Sequence, residues 1–202
     1  DFNQKFEPKG NKVIHGAGQS FEQFKKYWVV VKENKPLIYM TYLKIDTLKE
    51  KLPERIKEMQ KISNNLLPQI GLTFVSKTKG VQCKEILNRE YDEEILFLIS
   101  YFKKLKTPVF LRLGYEFNEP NKYNSRDFIL TWKYIVDLFR KENATNIAFV
   151  WGCCTAFSRD IQKIMEFYPG DEYVDWFGDD LFGVRHFTET NNPKIITEDF
   201  IK

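Results

Sequence analysis

Three charged residues cluster in the segment LRLGYEFNEP, residues 111–120, where an apolar run gives way to polar residues. Arg112 lies inside the run, and Glu116 and Glu119 follow it, three residues apart. A carboxyl group beside a reacting atom can donate or accept a proton, and a guanidinium group binds carboxylate or ligand oxygens. The cluster is therefore typical of acid/base chemistry. One glutamate, both or neither could take part in it. A plain ion pair is the structural alternative.

The residues before Glu116 have the alternation of a β-strand. Val109, Leu111 and Leu113 face one side of such a strand, and Arg112 faces the other. In a barrel, Arg112 would point inward or lie near the rim, with Glu116 four residues further on at the mouth of the strand. The pattern therefore predicts that a strand delivers these charges to one end of a sheet.

Short apolar runs alternate along the chain with longer segments of three-to-four-residue periodicity, which predicts alternating strands and helices. The predicted strands cover residues 12–15, 37–41, 70–75, 109–113, 147–151 and 174–178. The predicted helices cover residues 21–32, 48–64, 92–105, 126–141 and 159–167, with Ser125 as N-cap of the fourth helix. Residues 76–91 show no clear pattern and are expected to form a loop. This rhythm predicts parallel strands with helical crossovers, in an open sheet or in a (β/α)8 barrel.

Two features favour the barrel. The segment His15-Gly-Ala-Gly18 lacks the third glycine of a dinucleotide-binding turn. Polar or aromatic residues instead follow the carboxyl ends of several predicted strands, as active-site residues do in barrels. They are His15, Gln19, Tyr42, Lys44, Glu116, Asn118, Trp151, Asp179 and Asp180. We therefore predict an α/β chain with about six strand–helix units of a (β/α)8 TIM barrel, forming a single domain over residues 1–202.

Composition narrows the classes of partner. The net charge of +3 comes from interspersed lysines and acids, which form no basic patch of the kind that binds nucleic acid. No apolar run approaches the roughly 20 residues of a membrane span. Neither histidine has a partner at metal-ligand spacing, and the three cysteines fit neither a zinc motif nor a disulfide framework, so no metal and no cofactor is expected. The cysteines are expected to be core or site-lining thiols.

Several segments resemble, in order and in spacing, glycoside hydrolase family 26, the β-mannanase-like family of clan A. They are Val13-Ile-His-Gly-Ala-Gly18, Pro36-Leu-Ile-Tyr-Met-Thr41, Arg112-Leu-Gly-Tyr-Glu116-Phe-Asn118, Asn146-Ile-Ala-Phe-Val-Trp151 and Tyr168-Pro-Gly-Asp171-Glu-Tyr-Val-Asp175-Trp176-Phe-Gly178. The last is the most specific, and the resemblance spans nearly the whole chain. It implies a barrel that hydrolyses a β-linked polysaccharide with retention of configuration.

The resemblance also implies roles around the charged cluster. The general acid/base of the family is the glutamate four residues after the arginine of the fourth strand, which corresponds to Glu116. Asn118 matches a frequent asparagine of the motif, whereas Tyr115 stands where family members commonly carry histidine, which implies different substrate contacts. Asn118-Glu119-Pro120 imitates the Asn-Glu-Pro signature of other clan A families, so Glu119 is the alternative acid/base.

Other residues have expected roles in substrate binding. His15 and Gln19 would contact sugar hydroxyls, or His15 would be structural. Trp151 would stack on a sugar face or pack in the core. Asp180 and Phe182 correspond to a stretch in which the family often has aspartate and then a tyrosine that contacts the nucleophile. Phe182 lacks that hydroxyl group.

The nucleophile of the family is a glutamate that ends the seventh strand, and the predicted strands number six. Glu198 is a weak candidate, because the segment around it, Thr197-Glu-Asp-Phe-Ile201, fits the first turn of a helix better. We therefore expect strands seven and eight to lie beyond Lys202, and a polypeptide of these 202 residues alone to be inactive.

These observations predict a retaining endo-hydrolase that acts on a β-linked polysaccharide or oligosaccharide, with Glu116 as acid/base and Arg112 as its charge partner. Mannan is the family default, with β-1,3-xylan, mixed-linkage glucan and other glycans open. The alternative is a catalytically inactive carbohydrate-binding barrel, and a barrel enzyme for small metabolites is a second rival. The expected location is secreted or at the cell surface.

Overall fold

The computed structural model describes residues 5–18 and 20–180. Within them, there are eight strands and six α-helices, which alternate along the chain except that the third to fifth strands, and then the third and fourth helices, are consecutive. The strands are β1 (Gly16–Gly18), β2 (Ile38–Lys44), β3 (Leu67–Thr73), β4 (Val75–Ser76), β5 (Gly80–Val81), β6 (Val109–Leu113), β7 (Ile147–Cys153) and β8 (Trp176–Asp179). The helices are α1 (Phe21–Val30), α2 (Leu48–Ile62), α3 (Cys83–Leu87), α4 (Asp92–Leu105), α5 (Ser125–Lys141) and α6 (Ile161–Met165), with short 3₁₀ turns at Ile45–Thr47 and Asp171–Tyr173.

Six strands form one parallel sheet in the order β1-β2-β3-β6-β7-β8, and the sheet curls into a half-barrel. Neighbouring strands of the sheet are also successive along the chain, apart from the β4–β5 hairpin inserted after β3. Helices provide the crossovers between them. The prediction of (β/α)8-barrel units is therefore confirmed, and β6, which carries Arg112, is the fourth strand of the sheet.

The two faces of the sheet are packed by different partners. One face carries alternate residues such as Leu111, Leu113 and Ile147, which are buried against the helices in the larger core. The other, concave face carries Phe110, Ala148 and Val150 in a smaller cluster. The N-terminal segment closes part of this face, since Phe6 packs on Phe110 with ring centroids 6.2 Å apart and Lys5 O accepts a bond from the indole of Trp176. The concave face is the side to which Arg112 belongs.

Helix α5 shows how local sequence determines an element. Phe128, Trp132, Ile135, Val136 and Phe139 are all buried at three-to-four-residue spacing. Their stripe packs on the outer face of the sheet. The predicted N-cap Ser125 was wrong by one residue: the side chain of Asn124, which has extended backbone angles, accepts a bond from the amide of Asp127 at 3.2 Å.

Two regions differ from the sequence prediction because long-range contacts decide them. The first strand begins at Gly16 rather than at residue 12. A Cβ on Gly18 would lie 2.0 Å from the carbonyl oxygen of Met40, so only glycine fits where this strand approaches β2. Residues 76–91, predicted as a loop, contain the β4–β5 hairpin and α3. Asp46 holds the hairpin by accepting bonds from Ser76 Oγ at 2.6 Å and Lys77 N at 2.9 Å.

Candidate active site

The loop after β6 turns sharply at the carboxyl end of the sheet. Gly114 and Glu116 both have left-handed backbone angles, with φ of 52° and 51°. A Cβ on Gly114 would lie 2.5 Å from the ring of Phe128, so glycine is needed there for space as well as conformation. The amide of Glu116 donates a bond of 3.0 Å to the carbonyl oxygen of Gly152. The loop therefore holds Glu116 against the end of β7.

The carboxyl group of Glu116 lies in an environment that favours its protonated form. Burial raises the pKa of Glu116, and the negative charge of Asp180 raises it further. The charges of Lys122 and Arg112 oppose this shift, and that of Glu119 adds to it. A carboxyl group that keeps its proton to higher pH than usual is suited to donating that proton to a leaving group.

Arg112 forms an ion pair with Asp180 across the concave face, with 2.5 Å between Nη2 and Oδ2. The side chain of Arg112 is only 7% exposed. A Cβ on Gly152 would lie 3.2 Å from both Nε and Nη2 of Arg112, so this glycine leaves space for the guanidinium group. The ion pair of Arg112 in this structure is with Asp180, and the charge of Arg112 also lowers the pKa of Glu116, so its predicted role as charge partner of Glu116 stays a prediction.

Two tyrosines pack beside this ion pair. The rings of Tyr42, on β2, and Tyr115 have centroids 4.7 Å apart. A Cβ on Gly71 would lie 2.6 Å from Tyr42 Cδ1 and 3.1 Å from Tyr115 Cδ1, so this glycine of β3 makes room for the pair. Burial raises the pKa of Tyr115 to about 12, and the charges of Tyr42 and Glu116 act in the same direction. Both hydroxyl groups are therefore neutral near pH 7 and available as hydrogen-bond donors.

Asn118 joins the loop to the end of β7. Its Nδ2 donates to the carbonyl oxygen of Cys154 at 2.8 Å, and its Oδ1 accepts from the amide of Cys154 at 2.9 Å. Both the amino group and the carbonyl oxygen of the Asn118 side chain are thus hydrogen-bonded to the backbone of Cys154. In this structure, Asn118 fixes the loop that carries Glu116, and the predicted contact with substrate stays a prediction.

Glu119 has a different environment from Glu116. Its side chain is 46% exposed, and its Oε2 lies 3.3 Å from Nζ of Lys122. Glu119 therefore lies closer to solvent than the half-buried Glu116. Which of the two glutamates is the proton donor stays a prediction.

Two predicted site residues lie elsewhere. His15 precedes β1, at the end of the sheet opposite Glu116, and the prediction that it follows the first strand was wrong because that strand begins at Gly16. Its ring nitrogens contact Asn34 O at 3.2 Å and the hydroxyl of Tyr27 at 3.0 Å, a structural arrangement. Trp151 faces the helices, is 3% exposed and packs in the larger core, and its predicted stacking on a sugar stays a prediction.

Trp151 is held on two sides in that core. Its ring stacks on Phe117 with centroids 4.6 Å apart, and its indole N–H donates to the carbonyl oxygen of Phe167. Gln19, Phe182 and Glu198 lie outside the described residues, so their predicted roles stay predictions. Cys83, Cys153 and Cys154 are buried free thiols, and burial raises the pKa of Cys153 to about 12.

Four residues of the site were not assigned a role from sequence. Tyr42 was identified only as a polar residue at the end of a predicted strand. Gly71 and Gly152 have no recognisable pattern in the neighbouring sequence, because their role is to leave space for side chains of other strands. Lys122 donates to the carbonyl oxygens of Tyr115 and Glu116. Its spacing of three residues from Glu119 was the one signal that would have pointed to it.

The concave face below Arg112 and Asp180 borders a cavity of about 600 Å³, which is within the usual range for small-molecule sites. Met40, Gln69, Phe110 and Trp176 also line it. Among residues 5–18 and 20–180, no group of three or more histidine, cysteine, aspartate and glutamate side chains is arranged to hold a metal ion. No helix in the same ranges is both long and apolar enough to cross a membrane.

A curled sheet of parallel strands, helical crossovers and a polar site at the carboxyl end of the strands define this chain as part of a (β/α)8 barrel. Comparison with known proteins identifies the family. The sequence model of glycosyl hydrolase family 26 matches residues 69–198, more than half of the chain. The chain therefore belongs to glycosyl hydrolase family 26, a family of enzymes that hydrolyse glycosidic bonds.

Two curated relatives are similar over about half of the chain. A β-1,3-xylanase of Alcaligenes sp. is 28% identical over 116 residues, which are 56% of this chain and 24% of the relative. The β-1,3-xylanase TXYA of Vibrio sp. is 28% identical over 107 residues, or 52% of this chain and 23% of the relative. The matched part is thus about a quarter of the length of these relatives.

Solved structures share the fold at low identity. The family 26 domain of an endo-β-mannanase/endo-β-glucanase from Prevotella bryantii superposes with a TM-score of 0.63 at 14% identity, covering 89% of this chain and 71% of that one. The catalytic domain of an endo-β-1,4-mannanase from Bacillus sp. JAMB-750 gives 0.58 at 18% identity, covering 73% and 48%. The YdhT protein of Bacillus subtilis gives 0.60 at 18% identity, covering 92% and 71%.

Proposed function

We propose that this chain carries the general acid/base of a retaining endo-hydrolase of a β-linked polysaccharide, and that Glu116 is that residue. The observation that supports the proposal is the environment of Glu116: it lies at the carboxyl end of the fourth sheet strand, half-buried, with a pKa raised by burial and by Asp180. Membership of the family supplies the reaction class.

The proposed reaction has two steps. Protonated Glu116 donates its proton to the glycosidic oxygen while a second carboxylate attacks the anomeric carbon, so that the leaving sugar departs as an alcohol. Glu116, now ionised, takes a proton from the water that hydrolyses the glycosyl-enzyme ester, and this restores both groups. Such a mechanism needs the two carboxyl groups roughly 5 Å apart. We assign the second carboxylate to the end of the seventh barrel strand.

Arg112 and Asp180 have a supporting role in this scheme. The guanidinium group of Arg112 lies 2.5 Å from Oδ2 of Asp180 and holds this carboxylate in place. The negative charge of Asp180 raises the pKa of Glu116, which keeps the acid protonated before each turnover. Tyr42 and Tyr115, as neutral phenols next to the pair, are proposed to donate hydrogen bonds to sugar hydroxyls.

The first substrate to test is β-1,3-xylan. Both curated relatives are named β-1,3-xylanases, and at 28% identity they are more similar in sequence than the mannanase structures, which at 14–18% identity show the fold alone. β-1,4-Mannan and mixed-linkage glucan are the comparison substrates. Because such polymers do not enter cells intact, we also propose a secreted or cell-surface location.

Chemical rescue of Glu116→Gln in the complete natural protein tests the assignment. General acid/base assistance is worth about 10²- to 10⁴-fold, so the variant should lose that much of kcat on β-1,3-xylan. It should keep most of its first-step rate on an aryl β-glycoside whose leaving group needs no proton. Azide should then restore turnover and yield a β-glycosyl azide, the product that retention requires.

Three results would contradict the proposal. Wild-type turnover of polymer by Glu116→Gln would remove its role as acid/base. An inverted azide or sugar product would instead refute the retaining mechanism. Tight binding of xylan by the wild type without hydrolysis would identify a carbohydrate-binding barrel.

A further inference from the structure

The loop that carries Glu116 has an unfavourable backbone that requires restraint. A non-glycine residue is disfavoured in the left-handed region because its Cβ comes too close to the following carbonyl oxygen, and Glu116 has φ of 51°. On the side facing β7, the restraint comes from the amide of Glu116, bonded to Gly152 O, and from Asn118, bonded to Cys154. The opposite side of the loop faces Lys122.

Lys122 folds back over this loop and uses all its donors there. Nζ lies 3.0 Å from Tyr115 O, 3.4 Å from Glu116 O and 3.3 Å from Glu119 Oε2, so three oxygens match three N–H groups. The ammonium group also lies 5.1 Å from the ring centroid of Tyr115 and 5.6 Å from that of Tyr123. The side chain is only 12% exposed. A lysine this well enclosed differs from an ordinary surface ion pair.

We propose that Lys122 is a positioning residue of the reaction: it ties the carbonyl groups of Tyr115 and Glu116 to the carboxylate of Glu119 and so holds Glu116 in its left-handed conformation beside β7. The inference rests on the proposed function of Glu116. It also gives Glu119 a place in the site, as the anchor of Lys122 rather than as an acid. Loss of these three contacts of Lys122 should let the loop relax and move the carboxyl group of Glu116 from its productive position.

Lys122 also acts on Glu116 through its charge. Titratable and charged groups from four parts of the barrel surround Glu116. They are Arg112 on β6, Tyr115, Glu119 and Lys122 in the loop, Tyr42 on β2, Cys154 after β7 and Asp180 after β8. Burial, Asp180 and Glu119 raise the pKa of Glu116, and Lys122 is the largest influence that lowers it. Removing this cation should therefore raise that pKa further.

Lys122→Met and Lys122→Arg, made in the complete natural protein, separate the positioning of the loop by Lys122 from the effect of its charge on Glu116. Methionine keeps most of the length of the lysine side chain but removes its positive charge and its N–H donors, whereas arginine keeps the charge and the donors. Lys122→Met should lower kcat on β-1,3-xylan about 10-fold with KM nearly unchanged, and should move the alkaline limb of the pH profile upward. Lys122→Arg should return the alkaline limb of the pH profile to its wild-type position. Lys163→Met is the matched control, since Lys163 makes an exposed ion pair with Asp160 at the same three-residue spacing.

Hydrogen exchange of the peptide covering residues 114–120 gives a second readout that needs no activity. Exchange should be several-fold faster in Lys122→Met than in the wild type or in Lys163→Met. Unchanged exchange, or unchanged kcat and pH profile, would overturn the proposal. If Glu116→Gln proves fully active, the proposed function fails, and the exchange measurement alone decides whether Lys122 clamps the loop.

Discussion

Arg112 and Asp180, which are 68 residues apart in the chain, form a largely buried ion pair on the concave face of the sheet. The pair joins β6 to the residue that follows β8, across β7. Gly152 on β7 has no side chain to separate them. This relationship links the charged strand to the proposed acid, because Asp180 is the charge that raises the pKa of Glu116 most.

Replacing Asp180 with asparagine should move the alkaline limb of activity to lower pH. The proposed acid works when protonated, so activity is lost as pH rises through the pKa of Glu116. Asp180 raises that pKa, and removal of its charge lowers it. The pH dependence of kcat/KM measures the change. Asp179→Asn, a neighbouring carboxylate bonded to Thr155, is the control and should leave the limb in place.

Gly152→Ala should impair the enzyme although it adds one methyl group. The new Cβ would lie 3.2 Å from Nε and Nη2 of Arg112, so the guanidinium group must shift by a few tenths of an ångström, which should disturb its ion pair with Asp180. We expect kcat/KM to fall by about 10- to 100-fold, as for other small displacements in active sites. Gly178→Ala is the matched control, because its nearest contact is an ordinary 3.4 Å. Equal activity of both variants would argue against the space-keeping role of Gly152.

Glu119→Gln should reduce turnover far less than Glu116→Gln. Glu119 is 46% exposed and serves as a partner of Lys122, whose other donors bind backbone carbonyl oxygens. A loss below about tenfold is expected, against about 10²- to 10⁴-fold for Glu116→Gln. Parallel assays on β-1,3-xylan make the comparison. The opposite order of losses would assign the acid/base to Glu119.

Trp151→Ala should lower stability rather than affinity for substrate. The indole is 3% exposed, stacks on Phe117 and donates to Phe167 O, so truncation leaves a cavity. Such changes cost about 3–5 kcal/mol of unfolding free energy, measurable by urea denaturation. Leu130→Ala, on the exposed side of α5, should cost much less. A selective rise in KM without loss of stability would instead place Trp151 in the substrate site.

Much of the fold could be predicted because it depends on local patterns. The bounds of β6 and α4 agree with prediction to the residue, since alternation and helical periodicity report which side of an element is buried. The spacing within residues 111–120 likewise placed Glu116 at the carboxyl end of a strand. The resemblance named the family, and the family comparison confirms it. These conclusions needed only neighbours in sequence.

Contacts between strands needed the tertiary structure. Periodicity placed Arg112 on the face of its strand opposite Leu111 and Leu113, yet it carries no information about which residue stands on the next strand. Register decided that Arg112 meets Asp180 beside Gly152, and that Trp151 faces Phe117. By itself, the sequence determined the barrel units and the candidate acid. Tertiary structure decided the partners of that acid, because charge and burial depend on atoms brought close from distant parts of the chain.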